Sequence, residues 1–229
     1  MPPIKISYHS DVLCIWAYVA QARLEEVVQH FGDRVVIETH YCSVFPDAWS
    51  KIEEVWKTRG GFAGFNTHLL EVATRFPHVP VHPGLWLDVR PRTSASAHLF
   101  LKAVELIEHA GDAPPLPYLE RPSVRAAWAM RRAFFEFAKD ISDWHVHRQI
   151  ADDLAIDYAQ IEAKIRSSEA MARLAADYQH SDKTHIEGSP TFVLNDGRQK
   201  LFGNVGYRLL EANIQELLRT PSTGEASWC

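Results

Sequence analysis

Apolar and polar positions change rhythm three times along the chain. Residues 4–8, IKISY, alternate, the period of two that turns one face of a strand toward a core. Beyond them Ala20, Leu24, Val27, Val28 and Phe31 recur at helical spacing and stop at Gly32, a residue suited to the left-handed turn that ends helices. RVVIETHYCSVF (34–45) is rich in β-branched and aromatic residues and predicts a second strand. A helix between the two strands makes them parallel, in a right-handed βαβ unit.

The middle of the chain has the helical period instead. Short helical pieces broken by Gly and Pro come first. Longer helices follow, one capped by Thr93 with Ala97, Phe100, Leu101, Val104 and Ile107 on one face, another capped by Ser123 with Val124, Ala127, Trp128 and Phe135. Asp143 and Asp157 suit the caps of the next two. GDAPPLPYLERPS (111–123) is a Pro-rich connector. Strand character returns in PTFVL (190–194) and QKLFG (199–203), with Asp196-Gly197 between them as the signal of a tight antiparallel hairpin. A last helix carries Tyr207, Leu210, Ile214 and Leu217 on one side. The order β-α-β, helical block, β-β-α predicts an α/β unit with a small mixed sheet covered by helices.

Composition narrows the function. The chain has 229 residues, 46% hydrophobic and 23% charged, which is ordinary for one folded unit. A formal charge of −5 offers no basic field for nucleic acid or anionic membranes, so neither is an expected partner. The N-terminal residues enter a strand at once, leaving no room for an export signal, and no apolar run reaches the roughly 18 residues of a membrane span. Three cysteines, Cys14, Cys42 and Cys229, make no even-numbered disulfide framework. A cytoplasmic protein is expected. Exposed helices of this kind suit a homodimer, which no residue specifies.

Chemistry concentrates in SDVLCIWAY (10–18). Cys14 stands where the first helix begins, and unpaired backbone N–H groups with the helix dipole favour its thiolate, so the expectation is a depressed thiol and a reactive nucleophile. The opposing expectation is an inert buried cysteine on a fold that has lost its site. Asp11 caps or orients the helix start. Trp16 and Tyr18 suit either the wall of a substrate groove or the core. His9 either tunes Cys14 or simply ends a strand. His145 with His147, and His78 with His82, lack the clustered ligands of a metal site, and no metal is expected. Trp49, Trp56, Phe62, Phe65 and Trp86 suit apolar walls or ordinary packing.

This arrangement resembles the thioredoxin superfamily with a helical insertion, and within it the DsbA-like branch, particularly FrnE-type proteins. SDVLCIWAYV is similar to that branch's Asp-x-x-Cys-Pro-Trp-Cys-Tyr stretch at Asp11, Cys14, Trp16 and Tyr18; SASAHLFLKAVE, FFEFAKDISDWHV and IEGSPTFVLNDG extend the likeness. It implies a thioredoxin-like core of residues 1–48 and 183–220 with a helical insertion at 49–182, and a cis peptide before Pro190 opposite Cys14. There the Ser189 backbone would hold a peptide or the cysteinyl part of glutathione by short β-like pairing. The departures are Ile15 for the branch's proline, Ala17 for its second cysteine and Ala20 for its glycine. Related kappa-class glutathione transferases and 2-hydroxychromene-2-carboxylate isomerases carry serine where Cys14 stands.

Ala17 cannot close a disulfide with Cys14. The resemblance therefore implies monothiol exchange through Cys14, with glutathione as co-substrate or a protein thiol as resolving partner, and protein disulfides or a small electrophile as substrate. A glutathione-dependent isomerase or transferase, and a peptide-binding or chaperone-like module without turnover, are the alternatives.

Overall fold

The computed structural model describes residues 2–111 and 114–219; Cys229 lies outside the described residues. Four strands form one mixed sheet in the order β2-β1-β3-β4. β1 (Ile4–Ser10) pairs in parallel with β2 (Val35–Tyr41), with Ile4 opposite Val35, and antiparallel with β3 (Thr191–Leu194), which forms a hairpin with β4 (Gln199–Phe202). The hairpin turn sets Asn195, Asp196 and Gly197 at positive φ, the backbone an Asp-Gly turn adopts with least strain.

α1 (Ile15–Phe31) joins the parallel strands and is buried on two fronts. Its first turns, Ile15, Ala17, Tyr18 and Val19, enter one apolar core; Ala20, Leu24, Val27 and Phe31 enter another, shared with Ile4, Ile6, Phe192 and the last helix, α9 (Tyr207–Leu218). α1 thus fastens the sheet to everything inserted between β2 and β3. The inserted helices are α2 (Ala48–Val55), α3 (Gly61–Arg75), α4 (Ala95–Glu108), α5 (Pro122–Phe135), α6 (Trp144–Asp153), α7 (Tyr158–Arg166) and α8 (Glu169–Lys183). α4 packs against α5, α7 and α8, and α8 reaches back to β2.

Asp143 and Asp157 cap α6 and α7, each accepting a backbone N–H. Thr93 Oγ1 takes the Ala95 N–H at the start of α4, while Ser94, the residue at the cap position, gives its hydroxyl to Asp11 and makes no capping bond. The start of α5 differs from expectation. α5 starts one residue before Ser123, at Pro122, whose ring presets the helical φ; the Ser123 N–H goes to the Glu108 carboxylate. β2 also ends earlier than its sequence suggests. Tyr41 is its last residue, so Cys42 follows the strand, held by an N–H bond to the Ser10 carbonyl.

Among the described residues no helix is long and apolar enough to cross a membrane, and no group of His, Cys, Asp and Glu could hold a metal ion.

Candidate active site

Cys14 occupies the N-cap of α1 with extended backbone (φ −81°, ψ 115°), a position where its own carbonyl receives the Ala17 and Tyr18 N–H groups. Its side chain points across to the β3 entry, where the Ser189–Pro190 peptide is cis. The thiol donates to the Ser189 carbonyl oxygen at 3.1 Å. The two segments are joined a second time: the Asp11 N–H donates to Ser189 Oγ at 2.9 Å. Asp11, Cys14, Ser189 and Pro190 are therefore brought together.

Cys14 is only 7% exposed, and this reverses one expectation. Burial raises its thiol above the ordinary value, Asp11 adds to the rise, and the hydrogen bonds involving Ser189, Ala17 and Trp16 offset it only in part. The amide dipoles at the helix start are present, but removal of the sulfur from water outweighs them. The resting group is a thiol that donates, not a standing thiolate.

Asp11 is the hub beneath it. Wholly buried, its Oδ1 accepts the Leu13 N–H at 2.9 Å, and its Oδ2 accepts the Val44 and Phe45 N–H groups at 3.0 Å and the Ser94 hydroxyl at 2.7 Å. It fixes the turn before α1 rather than capping the helix, and it ties that turn to the β2–α2 segment and to α4. His98, also on α4, accepts the Val12 N–H on Nε2, which leaves Nδ1–H to face the Tyr178 hydroxyl at 3.2 Å. Burial holds His98 neutral, with its pKa pushed down to about 4 against the pull of Asp11. Ser94, His98 and Tyr178 are site residues that motif reading missed. The first two lie in the SASAH stretch, but nothing in one sequence says that their side chains turn toward residue 11.

The neighbouring aromatic and histidine residues take other roles. Trp16 packs edge-on against Phe76 and His68 under the Arg75 guanidinium, so its ring joins the α3 wall while its backbone N–H faces Cys14. Tyr18 is core: fully buried, stacked on Phe135 at 4.7 Å, with its hydroxyl on the Pro80 carbonyl. His9 turns away from Cys14 to Ser181 of α8 and stacks with His40 and His180; burial and those two imidazoles push its pKa to about 3. Phe62, Phe65 and Trp86 pack on one another, Trp56 adds to Phe65, and Trp49 lies at the surface with its indole N–H on the Arg90 carbonyl.

A cleft of about 370 Å³ opens beside the loop that presents Ser189. Glu187 and Gly188 line it together with Cys42, Ser43 and Lys51 and with Tyr178, Ser181 and Asp182 of α8. It offers one cation, two carboxylates and several hydroxyls. Cys42 is also buried, which pushes its thiol up. Ala17 is wholly enclosed in the core, with no room for a polar role.

A buried sulfur at a helix start, a cis-proline loop facing it, and a βαβ–ββα mixed sheet interrupted by helices define a DsbA-like thioredoxin fold. The sequence model of the DSBA-like thioredoxin domain matches residues 116–215. No curated protein matches the sequence. Among solved structures, one assigned as a protein disulfide isomerase from Nitrosomonas europaea superposes with a TM-score of 0.72 at 17% identity, over 93% of this chain and 98% of that one. The cytosolic disulfide reductase DsbM from Pseudomonas aeruginosa gives 0.65 at 19% identity, over 92% and 98%. A 2-hydroxychromene-2-carboxylate isomerase gives 0.63 at 16%, over 93% and 95%.

Proposed function

We propose that the protein is a thiol-disulfide oxidoreductase that works through the single sulfur of Cys14 with glutathione as co-substrate. The observation that carries this reading is the Cys14 thiol lying 3.1 Å from the Ser189 carbonyl, across from the cis peptide and at the start of α1. An extended cysteinyl segment laid along residue 189 would bring its own sulfur to Cys14 by backbone pairing alone. On the adjoining cleft Lys51 offers a partner for one carboxylate of the glutathione tripeptide, and Asp182 or Glu187 one for its amine.

The chemistry needs no second protein cysteine. Deprotonated Cys14 attacks the glutathione sulfur of a mixed disulfide, forms a Cys14–glutathione disulfide and releases the substrate as thiolate. A second glutathione thiolate attacks the bound glutathione sulfur, yielding glutathione disulfide and Cys14 thiolate, which regains its proton. The net change is a disulfide exchange: the mixed disulfide and one glutathione thiolate become the substrate thiolate and glutathione disulfide. Because the resting sulfur is held protonated, turnover depends on losing that proton, and the helix-start amides receive the resulting charge.

The same protonated state supports a second reading. A neutral thiol at this place can donate to the thiolate of a bound glutathione, which would then attack an electrophile, as an isomerase or transferase requires. The Cys14→Ser variant separates the two. Loss of glutathione-dependent disulfide reduction, with glutathione still binding, supports the proposal. Retained reduction refutes it. Isomerase or transferase turnover that persists in the serine variant favours the second reading, and unchanged peptide binding without turnover in either protein leaves a binding module.

A further inference from the structure

A second polar enclosure adjoins the end of β1 and does not include Cys14 in its lining. Arg131 of α5 is 2% exposed, and its guanidinium reaches Ser10 Oγ at 2.9 Å, yet Nε has no hydrogen-bond partner. Among the described residues no carboxylate stands within ion-pair distance of it. Tyr8, two residues back along β1 and also enclosed, brings its hydroxyl to the same space, with the Ser10 side chain beside it. Both line a cavity of about 20 Å³ shared with Tyr41, Tyr118 and Glu105.

Three facts about this lining select its guest. Such a volume admits one non-hydrogen atom, since about 10 to 15 Å³ is the minimum for a single water. The unpaired Arg131 Nε–H can only donate, and burial raises the phenols of Tyr8, Tyr41 and Tyr118, so they keep their protons and supply no counter-charge. Glu105, the carboxylate on the wall, is already engaged by Lys102 at 2.7 Å and Arg173 at 3.6 Å. A water would satisfy a donor but leave the buried charge uncompensated, which is the costly part.

We propose that this cavity binds a single monovalent anion of the halide class, held between the Arg131 guanidinium and the Tyr8 hydroxyl. The Ser10 contact places the ion behind the strand end that leads into Asp11, so its binding braces the turn before Cys14 without touching the sulfur.

The test is thermal unfolding of the full chain in rising sodium chloride, with sodium gluconate keeping ionic strength constant; gluconate is too large for the cavity. The expected result is a melting temperature that rises and saturates with chloride, as mass action requires of a ligand that binds only the folded state. Arg131→Met should abolish the rise. Tyr8→Phe keeps the ring in place and removes only the hydroxyl, and should shift saturation to roughly tenfold higher chloride, the scale of one charge-assisted hydrogen bond. A crystal grown in bromide should show anomalous density between the two side chains. Equal melting in chloride and gluconate, an unchanged response in Tyr8→Phe, or water without anomalous signal at that point would each overturn the assignment.

Discussion

At the scale of the residue, the balance at Cys14 decides the chemistry. A helix start and two amide N–H groups pull its thiol down, while enclosure and the Asp11 carboxylate push it up, and enclosure is the largest of these influences. Alkylation of Cys14 should therefore keep accelerating as pH rises past the ordinary thiol value, with no plateau near neutrality; iodoacetamide rates against pH, read on the Cys14 peptide, check this. Asp11→Asn removes the negative charge below the sulfur and should move that profile to lower pH. The same substitution destabilises the fold, because four donors converge on this carboxylate and an amide oxygen cannot replace two carboxylate oxygens. A loss of about 2 to 4 kcal/mol in urea unfolding is expected. Cys14 could be picked out of one sequence by its place at a helix start, and Asp11 by the resemblance of its stretch to the DsbA-like motif. The sign of the thiol shift could not, because it depends on how much water the insertion leaves at the sulfur.

At the scale of the element, local codes read well where short-range chemistry governs. Asp143 and Asp157 begin α6 and α7 because each carboxylate accepts an orphan N–H of the first turn. Replacing either with Ala should lower stability by about 1 kcal/mol, measured as a shift in denaturation midpoint, and the two losses should add. The Asp196-Gly197 hairpin is legible for the same reason: Gly197 sits at φ +98°, which a side chain makes unfavourable. Gly197→Ala should cost about 1 kcal/mol by the same measurement. Codes fail where a long-range partner competes. Ser94 stands at the cap position of α4 yet makes no capping bond, because Asp11, 83 residues away in sequence, claims its hydroxyl, and Thr93 takes the first-turn N–H. Cys42 likewise falls outside β2 because the pairing with β1 stops at Ser10 and Tyr41.

At the scale of the whole molecule, the insertion does more than decorate the sheet. α4 and α8 supply Ser94, His98, Tyr178 and Ser181, which hold Asp11, the turn before α1 and the far face of β1. Several of these contacts depend on neutral imidazoles. His98 and His9 have folded-state pKa values of about 4 and about 3, below the unfolded value near 6.5. As pH falls below 6.5 the unfolded chain takes up these protons and the folded chain does not, so stability is complete above that value and declines on the way down to about 4. The steepest slope from His98 alone is roughly 1.4 kcal/mol per pH unit. Urea midpoints measured between pH 7.5 and pH 4.5 should fall accordingly, and His98→Gln, which keeps an acceptor for the Val12 N–H, should flatten the decline.

Periodicity and turn chemistry in the sequence determined the strands, the parallel βαβ unit, the hairpin and the last helix, because each depends on neighbours within a few residues or on one buried face. The motif around Cys14 and the Ser189-Pro190 pair were visible there through their resemblance to the DsbA-like branch. Only the tertiary structure decided that the sulfur is enclosed and protonated, that His9 and Tyr18 belong to packing, and that Asp11 anchors the insertion. Those outcomes rest on burial and on contacts between segments far apart in the chain, and neither is written in local spacing.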